Sequence, residues 1–167
     1  MTRLDLAVSQ LSRARKYTFR LLENIDPALW FQQPAGGVTH IAWQVGHLAN
    51  AEYRLCLERI RGRRPEDELL IPVTFTSRFA RESVPDPDSA ANPSPEEIRA
   101  TLERVHKQVF QELRSLSDEE LDSEPLPPRH PLFDTKLGAI LWCAQHEMLH
   151  AGQIGLLRRL CGLAPLW

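Results

Sequence analysis

His146 and His150 stand four residues apart in the segment Trp142-Cys143-Ala144-Gln145-His146-Glu147-Met148-Leu149-His150-Ala151-Gly152-Gln153. On a helix that spacing projects both imidazoles from one face, one turn apart, which suits two nitrogen ligands on a single metal ion. The stripe through them, Ala139, Cys143, His146, His150, Gln153 and Leu157, is apolar at its ends and is expected to face the interior. Imidazoles there need partners, because a buried polar group without a hydrogen bond costs about 1–3 kcal/mol. A metal would supply them, and so would hydrogen bonds within a core; spacing alone leaves both readings open. A third ligand would come from another helix. His47 is the best placed, in the middle of His40-Ile41-Ala42-Trp43-Gln44-Val45-Gly46-His47-Leu48-Ala49. Three neutral imidazoles leave a coordination position free for water or substrate, which separates a working metal site from a closed structural one. Gly46, Gly152 and Gly155 are expected to let neighbouring backbones come close.

The remaining histidines are weaker candidates. His40 lies seven residues before His47 on the same helical face, as a second-shell group, a spare ligand or a solvated first-turn residue. His106 sits among charged neighbours and is expected at the surface, and His130, within Pro-Pro-Arg-His-Pro, in a loop. His146-Glu147-Met148-Leu149-His150 also matches the H-E-x-x-H zinc-protease pattern, with Glu147 as general base. Such enzymes take a further ligand downstream, yet residues 151–167 contain no histidine, aspartate or glutamate. Glu147 is therefore expected on the flank of its helix.

The elements that must position these groups are marked by proline. The 13 prolines leave the windows 4–23, 38–62, 96–117 and 134–162 free. Proline inside a helix costs about 3 kcal/mol or more, so these windows predict four helices. Apolar residues recur at steps of three and four in the first (Leu4, Ala7, Val8, Leu11, Ala14, Phe19, Leu22) and third (Ile98, Leu102, Val105, Val109, Phe110, Leu113). Ser94-Pro95-Glu96-Glu97 spells a capping box with proline in the first turn; Thr39 is expected to cap the second helix, and Asp134 or Thr135 the fourth. Gly62 and Gly162 stand where helix-ending glycines are expected, and Arg61, Arg63, Arg64, Arg158 and Arg159 where cations complement the helix dipole. Ile25, Trp30 and Pro34 recur as Leu116, Leu121 and Pro125, each 91 residues later, which suggests two helical hairpins of similar build. The stretch 63–93 is long enough to span a helix, so helices two and three need not be antiparallel; Phe75, Phe79 and Val84 could fold it back over the others.

Composition narrows the function class. A chain of 167 residues is one domain by length, 1–167, and 43% hydrophobic residues argue against disorder. Twenty basic against 22 acidic residues give a net charge of −2, with no basic excess for nucleic acid. The arginines at 13, 15, 20, 54, 59, 61, 63 and 64 are read as solvated faces and dipole partners. Cys56, Cys143 and Cys161 do not form a disulfide framework, no apolar run reaches the roughly 18 residues of a membrane span, and the N-terminus lacks a signal-peptide core. A cytoplasmic protein is expected, with a small-molecule substrate, no nucleic-acid or membrane partner, and homodimerisation open.

The mid-helix histidine in His40-Ile41-Ala42-Trp43-Gln44-Val45-Gly46-His47-Leu48-Ala49, with His146-x-x-x-His150-Ala151-Gly152-Gln153-Ile154, resembles the DinB/YfiT-like family of metal-dependent enzymes over nearly the whole chain. The resemblance implies an all-α fold: a four-helix bundle with helices two and three parallel across a long crossover. It implies a divalent metal, zinc or nickel, on His47, His146 and His150. The family includes hydrolases and thiol-dependent transferases and isomerases, and a related domain occurs in sulfoxide synthases. The expected function is a metal site that activates a low-molecular-weight thiol or water for attack on a small electrophile, as a transferase or hydrolase, with the thiol a possible cosubstrate. Gln44, Gln153, Cys143 and His40 are candidates for substrate contact or for hydrogen bonds to a ligand imidazole; Cys143 is read first as a small core residue. Trp43 and Trp142 pack the core or wall a pocket. The alternative is a metal-binding stress or sensor protein of the same fold without catalysis.

Overall fold

A computed structural model describes residues 1–166. Four long helices carry the fold: α1 (Arg3–Leu21), α2 (Ile41–Tyr53), α3 (Pro95–Leu113) and α4 (Lys136–Leu160). Among the described residues there is no strand, and no helix is long and apolar enough to cross a membrane.

The caps explain where the helices begin. Thr2 with Asp5, and Ser94 with Glu97, form reciprocal capping boxes, and Thr135 Oγ1 accepts from the Gly138 N–H. The start of α2 differs from the expectation: its cap is His40, whose Nδ1 accepts from the Trp43 N–H at 3.1 Å. Thr39 instead offers its hydroxyl to Gln44 Nε2 at 3.0 Å. Gly62 and Gly162 both lie at φ +83°, a conformation that side chains resist, and end their helices there. The C-terminus of α1 is closed by Arg158, which donates to the carbonyls of Leu21 and Glu23.

Buried stripes follow the helical period. They are Ala7, Leu11, Ala14, Thr18 and Leu21 on α1 and Ile98, Thr101, Leu102, Val105, Val109 and Leu113 on α3. Directions follow from cross-helix pairs. Glu52 meets His106 and Arg61 meets Glu112, so α2 and α3 run the same way; Arg15 meets Glu147 and Leu21 meets Arg158, so α1 and α4 do too. Gln44 meets His150, whereas Arg59 meets the Phe133 ring just before α4, so α2 and α4 are antiparallel. The chain is an up-down-down-up bundle, and the parallel middle pair requires the crossover 62–94.

That crossover carries short helices at Asp67–Leu70 and Val73–Arg78. Phe75 and Phe79 are buried against the bundle, as expected, whereas Val84 is 88% exposed. The short helical turns at Pro27–Leu29 and Asp118–Asp122, pinned by buried Trp30 and Leu121, match the repeat read in the sequence.

Helix two is not uniform. After Tyr53 the chain makes a π-helical turn, Arg54–Glu58, before a last α turn at Arg59–Arg61. Such a turn admits an extra residue, so side chains beyond it are rotated about 100° from the face an unbroken helix would give them.

Beneath the histidines lies a buried ion-pair network. Arg15, 2% exposed, chelates Glu147 through Nε and Nη2 at 2.8 and 3.1 Å, reaches Glu52 at 2.9 Å and donates to the Leu102 carbonyl at 3.1 Å. His106 Nδ1 lies 2.6 Å from the other Glu52 oxygen. Two expectations are corrected here. Glu147 is buried rather than on the flank of α4, and His106 is half-buried rather than at the surface. Their partners come from distant helices, Arg15 for Glu147 and Glu52 for His106.

Candidate metal centre

His47 projects from α2, and His146 and His150 from successive turns of α4. Their candidate ligand atoms all lie within 4.8 Å of one another. Ring centroids are 4.4 Å apart for His146 and His150, 4.8 Å for His47 and His150, and 5.3 Å for His47 and His146. His47 is buried, and the other two are partly exposed.

For His47 and His150, which ring nitrogen faces the centre is fixed by what holds the other. His47 Nδ1 is 2.9 Å from the Phe79 carbonyl, an acceptor only, so that nitrogen carries the proton and leaves the Nε2 lone pair free. His150 Nδ1 is 2.5 Å from Gln44 Oε1. Gln44 presents its oxygen because its Nε2 donates to Thr39. Both imidazoles are thereby set as Nε2 ligands by an oxygen acceptor behind them, the usual support of metal-binding histidines.

His146 Nε2 and His150 Nε2 are 3.2 Å apart. Two nitrogens bound tetrahedrally to one ion at about 2.0–2.1 Å stand about 3.3 Å apart, so this spacing fits a shared cation. A single proton or cation can lie between them. Nδ1 of His146 is buried and has no hydrogen-bond partner. The three residues therefore fit a divalent ion by donor type and spacing, and His47 and His150 also by tautomer.

Electrostatics point the same way. Burial, then the proximity of His47 and His130, pushes the His146 pKa down to about 4; burial, then His146 and His47, pushes His150 down to about 3. Burial also lowers His47. Neutral imidazole is the form that ligates.

The walls are aromatic. Trp43 stacks on His47 with ring centroids 4.8 Å apart and planes 7° apart, and its indole N–H donates to Ser83 Oγ at 2.8 Å. Trp142 lies against His146 at 6.2 Å.

The other candidates are placed as follows. Gln44 joins the centre through His150. His40 does not face it: its Nε2 is 3.0 Å from the Asp86 carbonyl and its Nδ1 caps α2. Cys143 is buried beside the Cys56 thiol, and that neighbour together with burial raises its pKa. Gln153 is exposed on α4. Glu147 is held by Arg15 and is not available as the base of an H-E-x-x-H enzyme. Of the three glycines, Gly46 makes the close approach: a Cβ there would fall 2.5 Å from the Phe79 ring. A Cβ on Gly155 would make ordinary contact with Leu21 at 3.6 Å, and one on Gly152 would meet nothing within 4 Å.

Sequence reading missed the crossover's part. The Phe79 carbonyl accepts from both His47 and Asn50 Nδ2, the latter at 3.2 Å. A backbone acceptor leaves no mark in residue identity; the signal available was Phe79 itself, an aromatic in a proline-rich loop.

A family model described as the DinB superfamily matches residues 10–154. The fold is similar to the crystal structure of a conserved protein from Enterococcus faecalis, at TM-score 0.71 and 18% identity over 96% of this chain and 97% of that one. No curated protein matches the chain.

Proposed function

Since the chain belongs to the DinB superfamily, we propose that it is a metal-dependent enzyme in which His47, His146 and His150 hold a divalent ion, zinc or nickel, and a low-molecular-weight thiol or water is delivered to a small electrophile. The observation that carries this reading is the convergence of three imidazoles, two with Nδ1 held by an oxygen acceptor. When bound, such an ion lowers the pKa of a coordinated water to about 7 or keeps a thiol as its thiolate.

The chain's own residues do the rest. Gln44 and the Phe79 carbonyl fix the tautomers of His150 and His47, so those two ligands need not reorganise. Trp43 and Trp142 present apolar faces that limit water around the imidazoles. The buried Arg15–Glu147 pair, on the same turn of α4 as His146, holds that turn in register. A transferase or hydrolase fits this arrangement.

One observation favours the alternative, a metal-binding stress or sensor protein without catalysis. Among the described residues no carboxylate is hydrogen-bonded to the triad, and Glu147 is committed to Arg15. The test is metal analysis of protein purified without a nickel column, beside His47→Ala and His150→Ala. Near-stoichiometric zinc or nickel lost in both variants is expected; full metal content in either variant rejects the ligand set. Chelation then separates the two readings. Loss of a thiol-consuming or hydrolytic activity with the fold intact supports the enzyme, and a lowered Tm alone supports the sensor.

A further inference from the structure

A second cavity, of about 340 Å³, lies between the end of helix two and the loop before α4. Arg59 lines it and is only 9% exposed. Its guanidinium has no carboxylate partner among the described residues. Nη1 donates to the carbonyls of Leu126 and Pro128, and the group rests over the Phe133 ring, 5.6 Å from its centroid. Nε and Nη2 make no hydrogen bond among the described residues. That is the same side-on edge by which Arg15 grips both oxygens of Glu147. A buried cation without a contacting counter-ion is costly; nearby Arg54 adds repulsion, and Glu58 attracts without touching it.

His130 lines the cavity beside it. Its ring stacks on Phe133 at 4.3 Å and 9°, and its Nδ1 accepts from the Leu132 N–H at 3.3 Å. The proton therefore sits on Nε2, leaving a second donor. The lining also includes Arg129, paired with Asp134 at 3.0 Å on the exposed rim, and Glu124, which is exposed. Among the described residues lining this cavity, Arg59 is the one buried charge. Trp142 separates this cavity from the triad, with its ring 6.3 Å from His130 on one side and 6.2 Å from His146 on the other.

We infer that this cavity is a carboxylate subsite, in which the free Nε–Nη2 edge of Arg59 and the N–H of His130 bind the carboxylate of a small substrate whose reactive end reaches past Trp142 to the histidine centre. A carboxylate is assigned because the same planar edge of Arg15 holds both oxygens of a carboxylate, Glu147, within this protein. The link to the reactive end rests on the metal-enzyme reading above; the anion site itself does not.

The test is titration of the full-length protein with succinate and, separately, inorganic phosphate. It follows the Arg59 Nε–H resonance by NMR in the wild type, and measures affinity in wild type and variants by calorimetry, in protein as isolated and after chelation. Succinate is expected to shift that resonance in both samples, to bind more tightly than phosphate, and to bind at least about tenfold more weakly to Arg59→Gln. Arg59→Lys keeps the charge without the fork and is expected to fold and to lose affinity as well, which covers a misfolded Gln variant. His130→Ala is expected to weaken binding further. No shift at Arg59, an affinity unchanged in Arg59→Lys, or phosphate binding more tightly than succinate overturns the assignment. Binding that disappears on chelation and ignores Arg59→Lys places the anion on the metal and also overturns it. Since the chelated sample reads the subsite without metal, failure of the metal reading leaves this result interpretable.

Discussion

Gln44 on α2 accepts a 2.5 Å hydrogen bond from His150 on α4, while its own amide N–H is anchored to Thr39 at 3.0 Å. The side chain works as a strut between helices: it fixes which imidazole nitrogen bears the proton and so which one faces the centre. Gln44→Leu keeps the volume and removes the acceptor. Metal affinity is expected to fall about 10–100-fold with little change in Tm, and Gln44→Glu, which retains an acceptor, is expected to restore it. Competition against a chromogenic chelator measures both. Equal affinity for wild type and Gln44→Leu would show that the amide does not orient the ligand.

Gly46 admits the Phe79 ring, whose backbone carbonyl holds His47. Gly46→Ala would place a methyl 2.5 Å from ring carbons packed 4.6 Å from the Phe75 ring. Overpacking of this kind costs about 1–3 kcal/mol, set against about 1 kcal/mol gained in helix propensity. The ring must move and take the carbonyl with it, so metal affinity is expected to drop along with Tm. Gly152→Ala is the control: with nothing within 4 Å of the new methyl, it is expected to raise stability by up to about 1 kcal/mol. Thermal melts of both, with a metal titration, check the pair.

The helices and the triad were legible because their signals are local. Proline punctuation, the Ser94 capping box and the four-residue spacing of His146 and His150 each sit within one turn or one loop. What escaped depends on distant chain segments. Glu147 reads as a flanking acid until Arg15, 132 positions away, is brought to it. His40 reads as a spare ligand until the crossover supplies the Asp86 carbonyl. The π-helical turn at Arg54–Glu58 contains neither proline nor glycine, so nothing in residue type announces it. That turn also sets the face on which Arg59 emerges.

Arg15 stands between two buried carboxylates. Arg15→Met would leave Glu52 and Glu147 without their cation, and breaking a buried pair from one side costs about 3–5 kcal/mol. Glu147→Gln keeps hydrogen-bonding oxygen and removes one charge, so its expected cost is smaller, about 1–3 kcal/mol. Because Glu147 faces Arg15 rather than the triad, metal content in Glu147→Gln is expected to match wild type. Denaturant melts and metal analysis report the two effects separately; metal loss in a folded Glu147→Gln would return that carboxylate to the centre.

Asp67 lies in the crossover and holds it to the bundle. Burial by itself would raise its pKa, but the Arg61 guanidinium, the Arg64 backbone N–H and the Tyr53 hydroxyl outweigh burial and bring it down to about 2. Its ordinary value is about 3.9. A carboxyl whose folded pKa is depressed stabilises the fold above the ordinary value and loses that contribution as the pH falls through the folded one. The stabilisation is therefore complete at neutral pH and fades between about pH 4 and pH 2, with a size on the order of 2 kcal/mol. Asp67→Asn is expected to lower Tm at pH 7 and to flatten the Tm profile below pH 4, where the two proteins should converge. Parallel profiles for wild type and Asp67→Asn across that range would show that the crossover is anchored by other contacts, such as the Phe75 and Phe79 side chains, rather than by this carboxylate.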